Sequence, residues 1–395
     1  MTVWDELVGQ SRAVETLQAA AQHARAIVED PESTEASRAM THSWLITGPP
    51  GSGRSTVARA FAAALQCTGD PVGCGECPGC KSTLARSNGD VADVVTTKVI
   101  ISIEEVRDLV YQSQSAPSRG RWRVILIEDA DRMMERASNV LLKAIEEPPE
   151  RTVWLLCAPS PDDMITTIRS RCRHVSLRIP PAGEVAELLQ RQFDVSPEKA
   201  AAAAQLAQSH IGRAKGLLSD DNKIRECQEL MTLALSARST GEAVLNADKL
   251  ISRATEIESA QQEKDFEKAE ASLRRTLGIE EGETPPSHMR HHFTRLKEEQ
   301  KRQSTRMQRD ALDRVMLDLL AFYRDVLVRQ LDAQVGQISV GLDNAVQTYA
   351  TSTSTQQTLE SMKQIELGRE RLQTNTNPLL IVEAMLTALV PRRLG

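Results

Sequence analysis

One short segment constrains this chain more than any other. The run Gly48-Pro49-Pro50-Gly51-Ser52-Gly53-Arg54-Ser55 follows the apolar stretch Ser43-Trp44-Leu45-Ile46-Thr47 and opens a helical stretch. Glycines there permit a tight turn, and backbone N–H groups at the start of the helix converge on phosphate. Such a loop needs a buried strand behind it and a helix ahead of it, which implies an α/β domain. The neighbouring sequence agrees. From residue 43 to about 178, short apolar runs (SWLIT, VADVV, RVILIE, TVWLLCA, HVSL) alternate with longer helical stretches, the pattern of a parallel sheet covered by helices.

The remaining chain reads as helix. Ser102-Ile103-Glu104-Glu105 has the form of a capping box opening a helix to about Gln114, and Pro148-Pro149 ends the helix carried by Asn139–Ile145. Beyond Pro180 strands vanish. Gly183–Phe193, an alanine-rich helix with Ser196 as N-cap and Pro197 at its first position, and Gly212–Leu218 predict a small helical module over 180–220. An all-α domain over 221–395 follows, ending in Asn375-Thr376-Asn377-Pro378 and the amphipathic Leu379–Val390. Within it, residues 256–310 stand out as dense in Glu, Lys, Arg and Gln, which predicts two polar helices around a turn near 282–286. Residues 286–309 hold seven Arg or Lys against two Glu, so a solvated hairpin and a basic face for DNA or an acidic partner both stand. His288, His291 and His292 share a helix face there, but no Cys or carboxylate joins them in metal-site spacing.

Composition limits the function classes. The 395 residues include 48 basic and 54 acidic side chains, a net charge of −6, so the chain lacks the global positive field of a stand-alone nucleic-acid binder. Aromatics make up only 3%, too few for a base-stacking platform. The first twenty residues carry acids among their apolar positions and do not read as a signal peptide. No run of about 18 apolar residues occurs, so a cytoplasmic protein is expected.

Three constellations carry chemistry. In the phosphate loop, the residue that should reach the β- and γ-phosphates as lysine is Arg54, a broad planar fork in place of a compact ammonium. A nucleotide site and a phosphate-binding relic kept as a structural turn are both open readings. The run Val124–Asp131 resembles a strand ending in a magnesium-binding Asp followed by a water-polarising Glu, but Glu128-Asp129 has the acids reversed. Errors of about 1 Å cost on the order of 100-fold in rate, so very little turnover is expected, whether these acids line a degenerate site or face solvent. Cys67, Cys74, Cys77 and Cys80 place four thiolates within a short glycine-rich loop, suited to a closed tetrahedral zinc; redox chemistry is the alternative. Cys157, Cys172 and Cys227 read as packing residues. Finally, Arg169-Ser170-Arg171-Cys172-Arg173 sits between a short helix and a strand, where it is either a solvated basic edge or a presented guanidinium.

The order of these features (Val8-Gly9-Gln10, GPPGSGRS, the four cysteines, Asn139…Leu142-Lys143…Glu146-Glu147-Pro148-Pro149, then Ser170-Arg171-Cys172) resembles the bacterial sliding-clamp loaders of the AAA+ class over roughly residues 1–220. The resemblance implies a P-loop AAA+ domain over 1–179 with a zinc module at 67–80, then a small helical lid domain over 180–220, then a helical collar that joins subunits into a ring. It implies that Arg171 acts in trans on ATP bound by an adjacent subunit. It also implies a nucleotide-binding set of Val8, Gly48, Gly51, Gly53, Arg54, Ser55, Glu128 and Asp129, holding ATP or ADP if it binds at all. Partners implied are the gamma/tau and delta subunits, with the sliding clamp and primer-template DNA reached through the DNA polymerase III holoenzyme, where polymerase chemistry belongs to other subunits.

Two kinds of subunit in that family carry the cysteine module: a gamma or tau motor that hydrolyses ATP, and a delta-prime subunit with a degenerate site. Besides Arg54 and Glu128-Asp129, Ala158-Pro159 falls where the motor has its sensor-1 hydroxyls, with Ser160 close by, and Gly212 falls at the sensor-2 arginine, with Arg213 one residue out. All four departures favour the non-motor, delta-prime-like subunit. The alternatives are an ATP-hydrolysing motor that tolerates Arg54 and a zinc-dependent nucleic-acid-binding module. Residues 256–310 exceed the family pattern and read as an insertion.

Overall fold

A computed structural model describes residues 2–30, 40–94, 100–118, 120–218, 222–277, 286, 290–339, 341–372, 374 and 376–390, with the backbone alone over most of 258–307. His288 and Asn375 lie outside the described residues, as do the side chains of His291 and His292. Two compact units divide the chain, Met1–Lys215 and Gly216–Gly395.

The first unit is built on a five-stranded sheet: β1 (Ser43–Thr47), β2 (Val91–Val94), β3 (Arg123–Ile127), β4 (Thr152–Ala158) and β5 (Arg173–Ser176). Their order is β2-β3-β4-β1-β5 and every pairing is parallel. Each connection therefore crosses over through a helix: α1 (Ser11–Glu29) precedes β1, then come α2 (Arg54–Leu65), α3 (Pro78–Leu84), α4 (Ile103–Ser113), α5 (Glu135–Glu146) and the short α6 (Thr166–Arg169). This is the α/β P-loop architecture the sequence implied.

Strand periodicity divides the core into two layers. Trp44, Ile46, Val124, Leu126, Val153, Leu155 and Cys157 pack beneath α1 and α2. Leu45, Ile125, Ile127, Trp154, Leu156 and Ala158 pack against α4 and α5. All residues of β1 and β4 are buried, which is why those runs read as continuously apolar. The capping box at α4 forms in both directions between Ser102 and Glu105. The helices α7 (Ala182–Phe193), α8 (Pro197–Leu206, capped by Ser196) and α9 (Ile211–Leu218) follow.

Every described element of the second unit is a helix: α10 (Lys223–Leu235), α11 (Thr240–Leu277), α12 (Arg290–Gln330), α13 (Asp343–Ser352), α14 (Thr355–Leu372) and α15 (Pro378–Leu389). Its core runs from Leu230 to Leu389 and contains Leu250, Ala254, Leu312, Leu319, Phe322, Ile365 and Val382. Phe322, Tyr323 and Tyr349 meet edge-to-face with centroids 5.3–6.0 Å apart, and the Tyr349 hydroxyl donates to the Leu235 carbonyl at 2.9 Å. Arg369 forks onto Asp313 at 2.7 and 3.2 Å. The Arg309 guanidinium donates to the carbonyls of Leu372, Thr374 (2.7 Å) and Thr376 (3.0 Å), closing the end of α14 just before Asn377 caps α15. Of the polar stretch 256–310, residues 256–277 lie on α11 and 290–310 on α12, two long helices as the sequence predicts; the turn expected near 282–286 lies outside the described residues apart from Pro286. Among the described residues, no helix is long and apolar enough to cross a membrane.

Candidate functional site: the phosphate loop, the Arg171 edge and the cysteine cluster

In a parallel sheet the crevice for ligands lies at the carboxyl ends of the strands. There the phosphate loop leaves β1 and turns through Gly51 (φ 90°) and Gly53 (φ 86°), the latter capping α2. Both adopt left-handed backbone that a side chain would strain. Gly51 has a second constraint, since a Cβ there would lie 3.1 Å from the Cβ of His210, just before α9. The loop's charge faces inward: Arg54 Nη1 donates to the carbonyl of Gly48. Gln10, almost fully buried, fixes the loop from behind. Its Nε2 donates to the carbonyls of Ser52 (3.2 Å) and Arg178 (2.6 Å), and its Oε1 accepts from the Arg178 N–H at 3.3 Å. Val8, partly buried, lies two residues earlier, and Gly9 accepts from Arg178 Nε at 2.9 Å.

Glu128 does not face solvent. Its carboxylate accepts from Arg59 and from Arg86 (3.1 Å), and both guanidiniums also pair with Asp93, at 3.2 and 3.3 Å. It also lies in hydrogen-bond contact with Ser55. Burial pushes the Glu128 carboxyl upward, against the pull of Arg59; the adjacent Asp93 carboxylate adds to the rise and Arg86 opposes it. The group at the expected metal position therefore already has two cations of its own. Asp129 lies 3.6 Å from Arg132, at the entry to a single 3₁₀ turn, Ala130–Arg132. Burial raises the carboxyl of Asp131, whose Oδ1 has no hydrogen-bond partner among the described residues. At the end of β4, Ala158 offers no hydroxyl, and Ser160 Oγ accepts from the Asp162 N–H as the cap of the 3₁₀ turn Pro161–Asp163. At the start of α9 the Arg213 N–H donates to His210 Nδ1 at 3.3 Å.

Arg171 lies at the other edge of the sheet. β5 pairs with β1 in parallel from Trp44↔Arg173 to Thr47↔Ser176, so Arg171 precedes the amino end of β5 while the phosphate loop leaves the carboxyl end of β1. Three strand steps separate those ends, roughly 10 Å at about 3.3 Å per residue. The Arg171 side chain is 41% exposed and is held by Glu146 at the end of α5. In its own subunit it does not meet the phosphate loop.

The four cysteines converge. The Sγ atoms of Cys67, Cys74, Cys77 and Cys80 all lie within 4.8 Å of one another, with Cys67 Sγ 3.7 Å from Cys74 Sγ and 3.9 Å from Cys77 Sγ. A tetrahedron with Zn–S bonds of about 2.3 Å has edges of about 3.8 Å, so the set fits zinc. Backbone N–H groups point at the sulfurs: Cys74 to Cys67 (3.5 Å), Cys77 to Cys74 (3.4 Å), and Cys80 (3.4 Å) and Thr68 (3.5 Å) to Cys77. Although burial raises the Cys77 thiol, the N–H donors of Cys80 and Thr68 outweigh it and bring it down to about 5, which favours the thiolate a metal requires. The module is tied down by Arg25, which donates to the carbonyls of Cys67 (3.2 Å) and Gly69 (2.5 Å), and by Trp4 Nε1, which donates to the Val72 carbonyl at 3.2 Å. The other cysteines stand apart: burial raises the thiol of Cys157, and that of Cys172 to about 12, values that leave both inert.

Residues 24–181 match the model of a family described as "DNA polymerase III, delta subunit". This region is similar in sequence to subunits of the bacterial DNA polymerase III clamp loader. The chain is 36% identical over 164 residues to the DNA polymerase III subunit delta' of Pseudomonas aeruginosa, covering 40% of this chain and 50% of that protein. It is 32% identical over 197 residues to the subunit delta' of Escherichia coli, covering 48% and 59%. It is 30% identical over 179 residues to the subunit tau of Bacillus subtilis, covering 44% and 29%. The matches thus span from under a third to three fifths of these relatives' lengths.

In this domain several residues that shape the site are silent in the sequence motifs. Gln10 was part of a recognisable tripeptide, but its clamp on Ser52 and Arg178 joins segments 168 positions apart. Asp93 carried a signal, a lone acid inside the apolar run VADVV. Its partners Arg59 and Arg86 carried none, and neither did His210 against Gly51.

Proposed function

We propose that this chain is the non-motor, delta-prime-type subunit of a sliding-clamp loader, lending Arg171 in trans to ATP held by a neighbouring gamma/tau subunit. The observation that carries this reading is the location of Arg171: half exposed, before the amino end of β5, while its own phosphate loop leaves the carboxyl end of the adjacent β1, so the guanidinium is turned away from that loop and open to another molecule. A guanidinium near a γ-phosphate stabilises the negative charge that spreads over its oxygens in the transition state. Because it arrives only with the assembled ring, hydrolysis is coupled to engagement of the clamp and primer-template DNA.

The chain's own loop supports the non-motor role. Arg54 bonds to the loop's own Gly48 carbonyl, and Glu128 is neutralised by Arg59 and Arg86 where a motor would hold magnesium. If ATP or ADP binds, it meets Val8, Gly48, Gly51, Gly53, Arg54 and Ser55 with little hydrolysis. In this reading residues 180–220 are the lid, 221–395 the collar that joins gamma/tau and delta, and the insertion at 256–310 an appendage to the collar. The four cysteines hold one structural zinc, which leaves no open position for catalysis.

Arg171→Ala should lower DNA- and clamp-stimulated ATP hydrolysis by the reconstituted complex at least tenfold while leaving assembly intact; unchanged hydrolysis refutes the finger. The second reading, an ATP-hydrolysing motor, is favoured by the 30% identity to the Bacillus tau subunit. Phosphate release by the isolated chain decides between them: robust turnover favours the motor.

A further inference from the structure

The Glu146-Glu147-Pro148-Pro149 motif carries a function that the reading above does not use. We infer that Glu146 is a positioning residue for Arg171, fixing one edge of its guanidinium so that the other edge is presented to the neighbouring subunit. This inference rests on the finger reading.

The bonds to Arg171 are one-sided. Nε donates to Glu146 Oε1, and Nη1 donates to the carbonyl of Thr167 at 2.9 Å and to Ser170 Oγ at 3.3 Å. Nη2 makes no hydrogen bond among the described residues. A guanidinium is a rigid planar fork, so holding Nε and Nη1 fixes the direction of Nη2 as well. Arginine has many rotamers, and a side chain ordered before association loses less entropy when its target arrives. Two of the three acceptors belong to the turn that carries Arg171 itself; only Glu146 comes from elsewhere in the chain.

Glu146 is also suited to be an anchor. It is the last residue of α5, whose buried Leu141, Ala144 and Ile145 fix the helix in the core, and the proline pair after it stops the helix from extending. At 44% exposure against 41% for Arg171, the pair is open enough for the free guanidinium edge to reach a partner.

The test uses the reconstituted clamp loader with its cognate motor subunits, ATP, clamp and primer-template DNA. Glu146→Ala should lower kcat three- to fivefold, about 0.7–1 kcal/mol at 1.36 kcal/mol per tenfold, with unchanged KM for ATP and unchanged assembly on size exclusion. That is the upper range for an exposed ion pair. Glu146→Gln keeps the acceptor oxygen and should lose less than about twofold. In an Arg171→Ala background, Glu146→Ala should change nothing further. An Arg171→Ala loss without any loss from Glu146→Ala overturns the positioning role and leaves the finger standing. An equal loss from Glu146→Ala in both backgrounds overturns it too, because Glu146 then acts through something other than Arg171. No loss from Arg171→Ala itself overturns the finger and this inference with it.

Discussion

Removing the Gln10 amide should loosen the phosphate loop and destabilise the first unit by about 2–4 kcal/mol. Three hydrogen bonds are lost in Gln10→Ala, each worth about 0.5–1.5 kcal/mol net, and the groups left behind at Ser52 and Arg178 are partly or fully buried. Taking 3 kcal/mol and a urea slope of about 2–3 kcal/mol/M, the midpoint should fall by about 1–1.5 M. The assay is convenient because all four tryptophans, Trp4, Trp44, Trp122 and Trp154, lie in the first unit, so indole fluorescence follows that unit alone. Gln10→Glu separates hydrogen bonding from packing. It leaves no cavity and keeps the acceptor for the Arg178 N–H, but sets a carboxylate against two carbonyls, and should cost at least as much as alanine at pH 7. A midpoint shift under about 0.3 M at unchanged slope for both variants would show that the loop holds itself and that the reasoning is wrong.

Other expectations can be checked on the isolated chain. Metal analysis should find one zinc per chain, and chelation or Cys80→Ser should lower the fluorescence-detected midpoint; a metal-free preparation of undiminished stability refutes the zinc assignment. Arg59→Ala leaves Glu128 and Asp93 with only Arg86 and should cost about 2–3 kcal/mol, part of which Glu128→Gln should restore in the double variant. Asp131→Asn should raise the midpoint at pH 7. Burial lifts the Asp131 carboxyl, so its charged form costs stability once pH passes the ordinary aspartate range, and the advantage of the amide should vanish as pH falls back below that range. A midpoint difference that grows on acidification would refute that sign.

How much could be read beforehand follows from how far apart the partners are in sequence. The strands of the sheet were legible because β1 and β4 are buried on both faces, and the helix starts at Ser102, Ser196 and Asn377 because a cap is a bond within three residues. The cysteine cluster was legible for the same reason, with fourteen residues from first to last. The state of the nucleotide site was only half legible. Arg54 and the reversed Glu128-Asp129 announced a departure, but that Glu128 is held by Arg59 and Arg86 depends on α2, the turn after α3, and β3 meeting near one sheet edge. Glu146 was visible as a motif and mute as a contact, since its bond to Arg171 spans 25 positions. An arginine on a helix looks the same in sequence whether it faces solvent or neutralises two half-buried carboxylates.

The long helices α11 and α12 leave this protein one dimension free to vary. Leu250 and Ala254 on one, and Ala311 and Leu312 on the other, belong to the apolar core, and Arg309 meets the turn before α15. Outward of Ile257 on α11 and of Arg309 on α12 the sequence is rich in charged and amide residues, with Phe293 of α12 buried beneath Arg274 of α11, the guanidinium carbon 5.4 Å from the ring. Adding or deleting matched whole turns there would keep the phase of every core position and of Arg309, so the projection can lengthen or shrink over evolutionary time without the inner bundle registering the change.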